Sequence, residues 1–63
     1  MKLKNPYIGM RVQVQKVYSK PHLEGVVGTI QQRYGGEDPS AFEVLLSDGQ
    51  TELFWYHELK EVS

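Results

Sequence analysis

The chain has 63 residues, with 7 Lys or Arg against 8 Asp or Glu, for a net charge of −1 with neutral histidines. A chain of this length has room for one small domain, which hides only about 60% of the surface its unfolded form exposes. It has no cysteine and two histidines, His22 and His57, so disulfide staples, thiolate metal sites and Cys nucleophiles are excluded, and a His-rich zinc site would need carboxylates to complete it.

A charged fraction of 24% and an aromatic fraction of 11% fit a folded domain rather than a disordered segment. No apolar run approaches the roughly 20 residues that span a bilayer, and no charged-then-apolar leader opens the sequence. The expected setting is therefore cytoplasmic, without a membrane partner. Charge is unevenly spread. Residues 1–33 carry six basic side chains against Glu24, and residues 34–63 carry seven acidic ones against Lys60. Such asymmetry marks either a face for an acidic partner or strands from the two halves lying side by side with paired surface charges.

Gly and Pro interrupt the chain every few residues, and no window between them has helical apolar spacing. Alternation takes its place. A short arm over residues 1–8 leads into a first strand, about Met10–Val17, with Val12 and Val14 on one face and Arg11, Gln13 and Gln15 on the other. Val17 breaks the parity, so a bulge or the strand end lies near it. A loop over Tyr18–Glu24 follows, where Pro21 bars a central sheet position. The second strand spans about Val26–Tyr34, with Val26, Gly28 and Ile30 sharing a face. At Gly28 another backbone or a large ring can come close. Residues Gly35–Ser40 form a loop.

The third strand, Ala41–Ser47, sets Phe42, Val44 and Leu46 against Ala41, Glu43 and Leu45. After Ser47-Asp48-Gly49 comes a fourth strand, Gln50–Tyr56. A two-residue Asp-Gly turn would pair Phe42 with Trp55. A three-residue loop, with Gly49 left-handed in a bulge, would pair Phe42 with Phe54. The two registers place Trp55 on opposite faces. His57-Glu58-Leu59 reads as a 3₁₀ turn and Lys60–Val62 as the last strand.

Four pieces stand in order: Gly9-x-x-Val12-x-Val14, Gly25-x-x-Gly28-x-Ile30, Phe42-x-Val44-x-Leu46-x-Asp48-Gly49 and Phe54-x-x-x-Glu58-Leu59. That pattern resembles an SH3-like five-stranded barrel over residues 9–63. It is similar to photosystem I reaction-centre subunit IV, to KOW-type modules and to small phage-encoded SH3-like proteins. The resemblance implies an all-β barrel with a single turn before its last strand. It also implies that the Phe before the closing Glu-Leu points inward, which favours the three-residue turn. The long loop that the photosystem subunit carries between its third and fourth strands is replaced here by Asp48-Gly49, so its docking role does not follow. The expected core is Val12, Val14, Val26, Ile30, Phe42, Val44, Leu46, Phe54 and Leu59, with Val62 at its margin.

Chemistry is sparse. The glycines match neither GxGxxG nor GxxxxGK[ST]. Nothing local orients Ser40, His57 and Asp48 as a triad, and His57-Glu58 more simply closes a turn than works as an acid–base pair. The chain is similar in size and fold to the tetrameric, pore-forming type II dihydrofolate reductases. Their Val-Gln-Ile-Tyr run is replaced here by Glu52-Leu53-Phe54-Trp55-Tyr56. No catalysis, cofactor or metal is therefore expected.

Seven aromatic rings are more than a barrel this small can bury, which leaves Trp55, beside Leu45 and Leu53, for an outer face. The alternative occupant of that face is the N-terminal arm folding back, with Tyr7 stacked on it. SH3-like domains bind between the loops after the first and second strands, which here offer Tyr18, Lys20, His22 and Glu24 on one side and Tyr34, Gly35, Gly36, Glu37 and Asp38 on the other. The expected binding residues are Tyr18, His22, Tyr34, Leu45, Leu53, Trp55, Tyr56 and His57. The expected function is a protein-interaction module, an accessory or phage host-modulating protein, with a second copy of the chain as one partner. A KOW- or Tudor-like nucleic-acid module is the alternative, against which stands the pI of about 6.0. A pore-type tetrameric enzyme is the third reading.

Overall fold

The computed structural model describes residues 5–37 and 39–62. Five antiparallel strands form one sheet: β1 (Arg11–Val14), β2 (Val27–Tyr34), β3 (Ala41–Leu46), β4 (Thr51–Trp55) and β5 (Leu59–Glu61). Two single 3₁₀ turns, η1 (Pro21–Leu23) and η2 (Tyr56–Glu58), sit in the connections after β1 and β4. The protein is thus all-β with a 3₁₀ turn before its last strand. The strand order is β4-β3-β2-β1-β5, so the first strand lies between the second and the last, and β4 and β5 are the two edges.

The sheet wraps round a single core. Val14, Ile30, Phe42, Phe54 and Leu59, one from each strand, belong to one buried cluster. A flat sheet of five strands about 4.8 Å apart would hold its edge residues some 19 Å from each other, too far to share a cluster. Curling brings them together, although no ladder joins β4 to β5 among the described residues.

The turn that decides the register is the three-residue one. Leu46 pairs with Gln50 through Leu46 N–H to Gln50 O (2.8 Å), and Gly49 N–H closes onto Leu46 O (3.0 Å). Gly49 takes φ +90°, a conformation cheap only for a residue without Cβ. The Asp48 carboxylate accepts the Gln50 N–H at 3.0 Å and stiffens the bend. Phe42 consequently faces Phe54, and Ala41 faces Trp55. Phe54 is buried and Trp55 is outside.

At Gly28 the close approach is real. An added Cβ would stand 2.6 Å from Leu45 O and 2.6 Å from Val44 Cγ1. Gly28 faces Val12 on one side and Leu46 on the other, so it lets β1 and β3 share a tight middle strand.

Several expectations need correction. β1 is shorter than the alternation suggests, ending at Val14, and Val17 is buried outside it, in a turn closed by Lys20 N–H to Val17 O. Val26 is only partly buried, because it lies beyond the end of β2 and packs on the cluster from outside. Met10 belongs to the core without having been expected there. Ala41 is buried although it sits on the outer face, where its methyl group is flanked by the large neighbours Tyr34 and Trp55. The 3₁₀ turn begins one residue early, at Tyr56, which leaves Leu59 to β5 and to the core. β2 also carries an irregularity between Ile30 and Gln32, where Gln31 has no partner in β3; nothing in the alternation signals it.

Candidate interaction face

The register sorts side chains into two faces, since residues opposite one another in a ladder point the same way. On the outer face of β2, β3 and β4 three rows result: Tyr34–Ala41–Trp55, Gln32–Glu43–Leu53 and Thr29–Leu45–Thr51. The large apolar members are uncovered. Tyr34 is 48% exposed, Leu45 36%, Leu53 54% and Trp55 55%. Alternation forces this once Phe42 and Phe54 are inside: β4 must send Thr51, Leu53 and Trp55 outward. Glu43, half-buried, is the acidic side chain of the middle row.

The face borders the β4 edge. In an antiparallel ladder, alternate residues turn their backbone polar groups away from the partner strand. The Leu46–Gln50 bonds therefore leave Thr51, Leu53 and Trp55 with edge-facing N–H and C=O groups. Two side chains occupy part of that edge. Lys20 Nζ donates to Leu53 O at 2.7 Å, lies 3.3 Å from Glu52 Oε1 and stands 5.0 Å from the Phe54 ring centroid. Trp55 N–H donates to Glu58 Oε1 at 2.8 Å. Charged side chains laid on an edge obstruct pairing with another strand. The side-chain face of β4 is therefore freer than its backbone edge.

The expected binding residues fall into three places. Tyr34, Leu45, Leu53 and Trp55 share the outer face. Tyr56 and His57 follow Trp55 directly in η2, with their rings edge to face and centroids 5.3 Å apart. Tyr56 turns inward to pack on the core, whereas His57 is exposed. Tyr18 and His22 belong to the long loop after β1, both exposed. Tyr34 joins Trp55 across Ala41, and Tyr18 lies beneath Lys16 Nζ at 5.4 Å.

The arm expected to cover Trp55 falls largely on residues 1–4, outside the described residues. Pro6 passes beside β2, where its carbonyl accepts from Arg33 Nη1 at 3.3 Å. Tyr7 is exposed rather than stacked on the face. The described basic residues of the first half are spread over several elements: Arg11 is on β1, Lys16 and Lys20 are in the long loop, and Arg33 is near the end of β2.

For reaction chemistry the geometry offers little. Asp48 and His57 lie at opposite ends of β4, whose five residues span about 17 Å. No three His, Asp or Glu side chains converge to hold a metal ion among the described residues. No helix is long and apolar enough to cross a membrane. The chain matches no protein-family model, no curated protein and no solved structure.

Proposed function

We propose that the chain is a non-catalytic, SH3-like binding module whose partner is a protein, met through the outer face of β2, β3 and β4. One observation carries this reading: Tyr34, Leu45, Leu53 and Trp55 stand exposed together on a sheet whose opposite face already fills the core. Contiguous apolar side chains rimmed by polar ones mark association surfaces, and Trp and Tyr dominate their energetics. The resemblance to small phage-encoded barrels supports an accessory role, in which binding is the whole activity. A second copy of the chain is one such partner, since two-fold pairing is the commonest assembly.

Light scattering and intrinsic fluorescence test the reading together, on wild type and on Trp55→Ala, with circular dichroism to confirm folding. Trp55 emission should be that of a wet ring in the dilute protein. It should shift to the blue as concentration rises if the partner is a copy, or on adding a captured protein if it is not. Trp55→Ala should weaken either contact by about 2 kcal/mol or more, roughly 30-fold. A dilute monomer whose emission is already blue would show the face covered from within the chain and overturn the reading.

A further inference from the structure

Beyond the apolar face, a second surface feature lies past η2. A shallow hollow at the junction of β1, η2 and β5 is lined by Gln15, Lys16, His57, Leu59 and Lys60. Its floor is held by the backbone, with Gln15 N–H donating to Glu58 O at 2.7 Å and Val14 facing Leu59 in the β1–β5 ladder. Leu59 is buried beneath it. Two lysines, a histidine and a glutamine thus line one concavity in a chain whose net charge is −1.

The local charge is not cancelled. Lys20 has Glu52 as its partner, but Lys16 and Lys60 make no ion pair with a described carboxylate. Glu58, next to His57 in sequence, has an oxygen committed to the Trp55 N–H. Glu61 neighbours Lys60 in sequence but does not line the hollow. An aromatic ring adjoins the hollow through Lys16. Lys16 lines it, its ammonium sits 5.4 Å from the Tyr18 centroid, and Tyr18 is 87% exposed.

We propose that this hollow and Tyr18 together bind a nucleotide unit, with the phosphate among Lys16, His57 and Lys60 and the base on the Tyr18 ring. Clustered cations facing a hollow suit a phosphate group. A ring beside them suits stacking, which is sequence-tolerant because every base has a π-face. Neither feature belongs to the β2–β4 face, so the site stands apart from the protein contact proposed above. The source of the nucleotide is a free mononucleotide or a single strand.

Amide chemical-shift titration at low salt distinguishes these, using inorganic phosphate, thymidine 5′-monophosphate and a short oligothymidylate as probes. Shifts should concentrate on Gln15, Lys16, Tyr18, His57 and Lys60. Lys16→Ala with Lys60→Ala should weaken oligothymidylate binding at least tenfold. The double variant should also lower the slope of log K on log salt by about 0.7, the value for one phosphate neutralised on a single strand. Tyr18→Ala should weaken both nucleotide probes and leave inorganic phosphate unchanged. Preference for the oligonucleotide identifies a strand as the source, and equal affinity a free nucleotide; both support the site. Shifts mapping to Leu53 and Trp55 instead, a double variant with the wild-type salt slope, or binding of inorganic phosphate without any nucleotide preference would each overturn it.

Discussion

Gly28→Ala puts the packing of the middle strand to a direct test. The new Cβ would lie 2.6 Å from a backbone oxygen, Leu45 O, and 2.6 Å from Val44 Cγ1. Real Cβ atoms essentially never come so near a neighbour, and Leu45 O cannot retreat without moving β3 and its ladders to β2 and β4. Val44 is fully buried, so its methyl has no empty space to turn into. Overpacking of this kind costs roughly 1–3 kcal/mol. The unfolded chain also loses freedom on gaining a methyl group, which offsets about 0.5 kcal/mol. A net loss of about 2 kcal/mol is therefore expected, against a total stability of roughly 3–9 kcal/mol for 63 residues. At about 4–8 °C per kcal/mol, the melting temperature should fall by about 8–16 °C. Thermal and urea melts followed by circular dichroism measure it, and an unchanged urea m-value would show that the surface exposed on unfolding is the same. A variant melting within about 2 °C of wild type would refute the close approach of β2 to β3.

Phe54→Ala, which empties the centre of the core, should cost about 3–5 kcal/mol and leave the chain largely unfolded at 37 °C; Trp55→Ala should cost under about 1 kcal/mol, and a reversed order in urea melts would contradict the Phe42–Phe54 register. Gly49→Ala places a Cβ at φ +90° and should lose about 1–2 kcal/mol of stability without affecting the outer face, as two-dimensional NMR would show. Glu58→Ala should cost about 1 kcal/mol by leaving the Trp55 N–H without its acceptor, and Glu58→Gln, which keeps an oxygen there, should cost less than half as much in the same melts. Lys20→Ala removes the cation from Leu53 O and should change stability by under about 1 kcal/mol, while raising the hydrogen-exchange rate of the β4 edge amides.

Alternation of period two was enough, on the page of letters, to place most of the core, but it left two turns open at Ser47-Asp48-Gly49, and the ladder between β3 and β4 decided that Trp55 faces outward. Phe42, Val44 and Leu46 alternate with Ala41, Glu43 and Leu45, and Ser47-Asp48-Gly49 can close such a hairpin in few ways. Each of these signals is local: a two-residue period and a three-residue loop are written within a few positions of each other. What the tertiary structure decided is of another kind. Met10 and Val17 are buried because β1 and the loop after it are drawn against strands far along the chain. Lys20 meets Leu53 and Phe54 across more than thirty residues, and Tyr34 meets Trp55 only through the ladder that β3 provides. Lys16, His57 and Lys60 converge because the curl of the sheet returns β5 to β1. The physical reason is that local patterns encode which way a side chain faces, whereas chain closure and burial across distant strands settle what it faces.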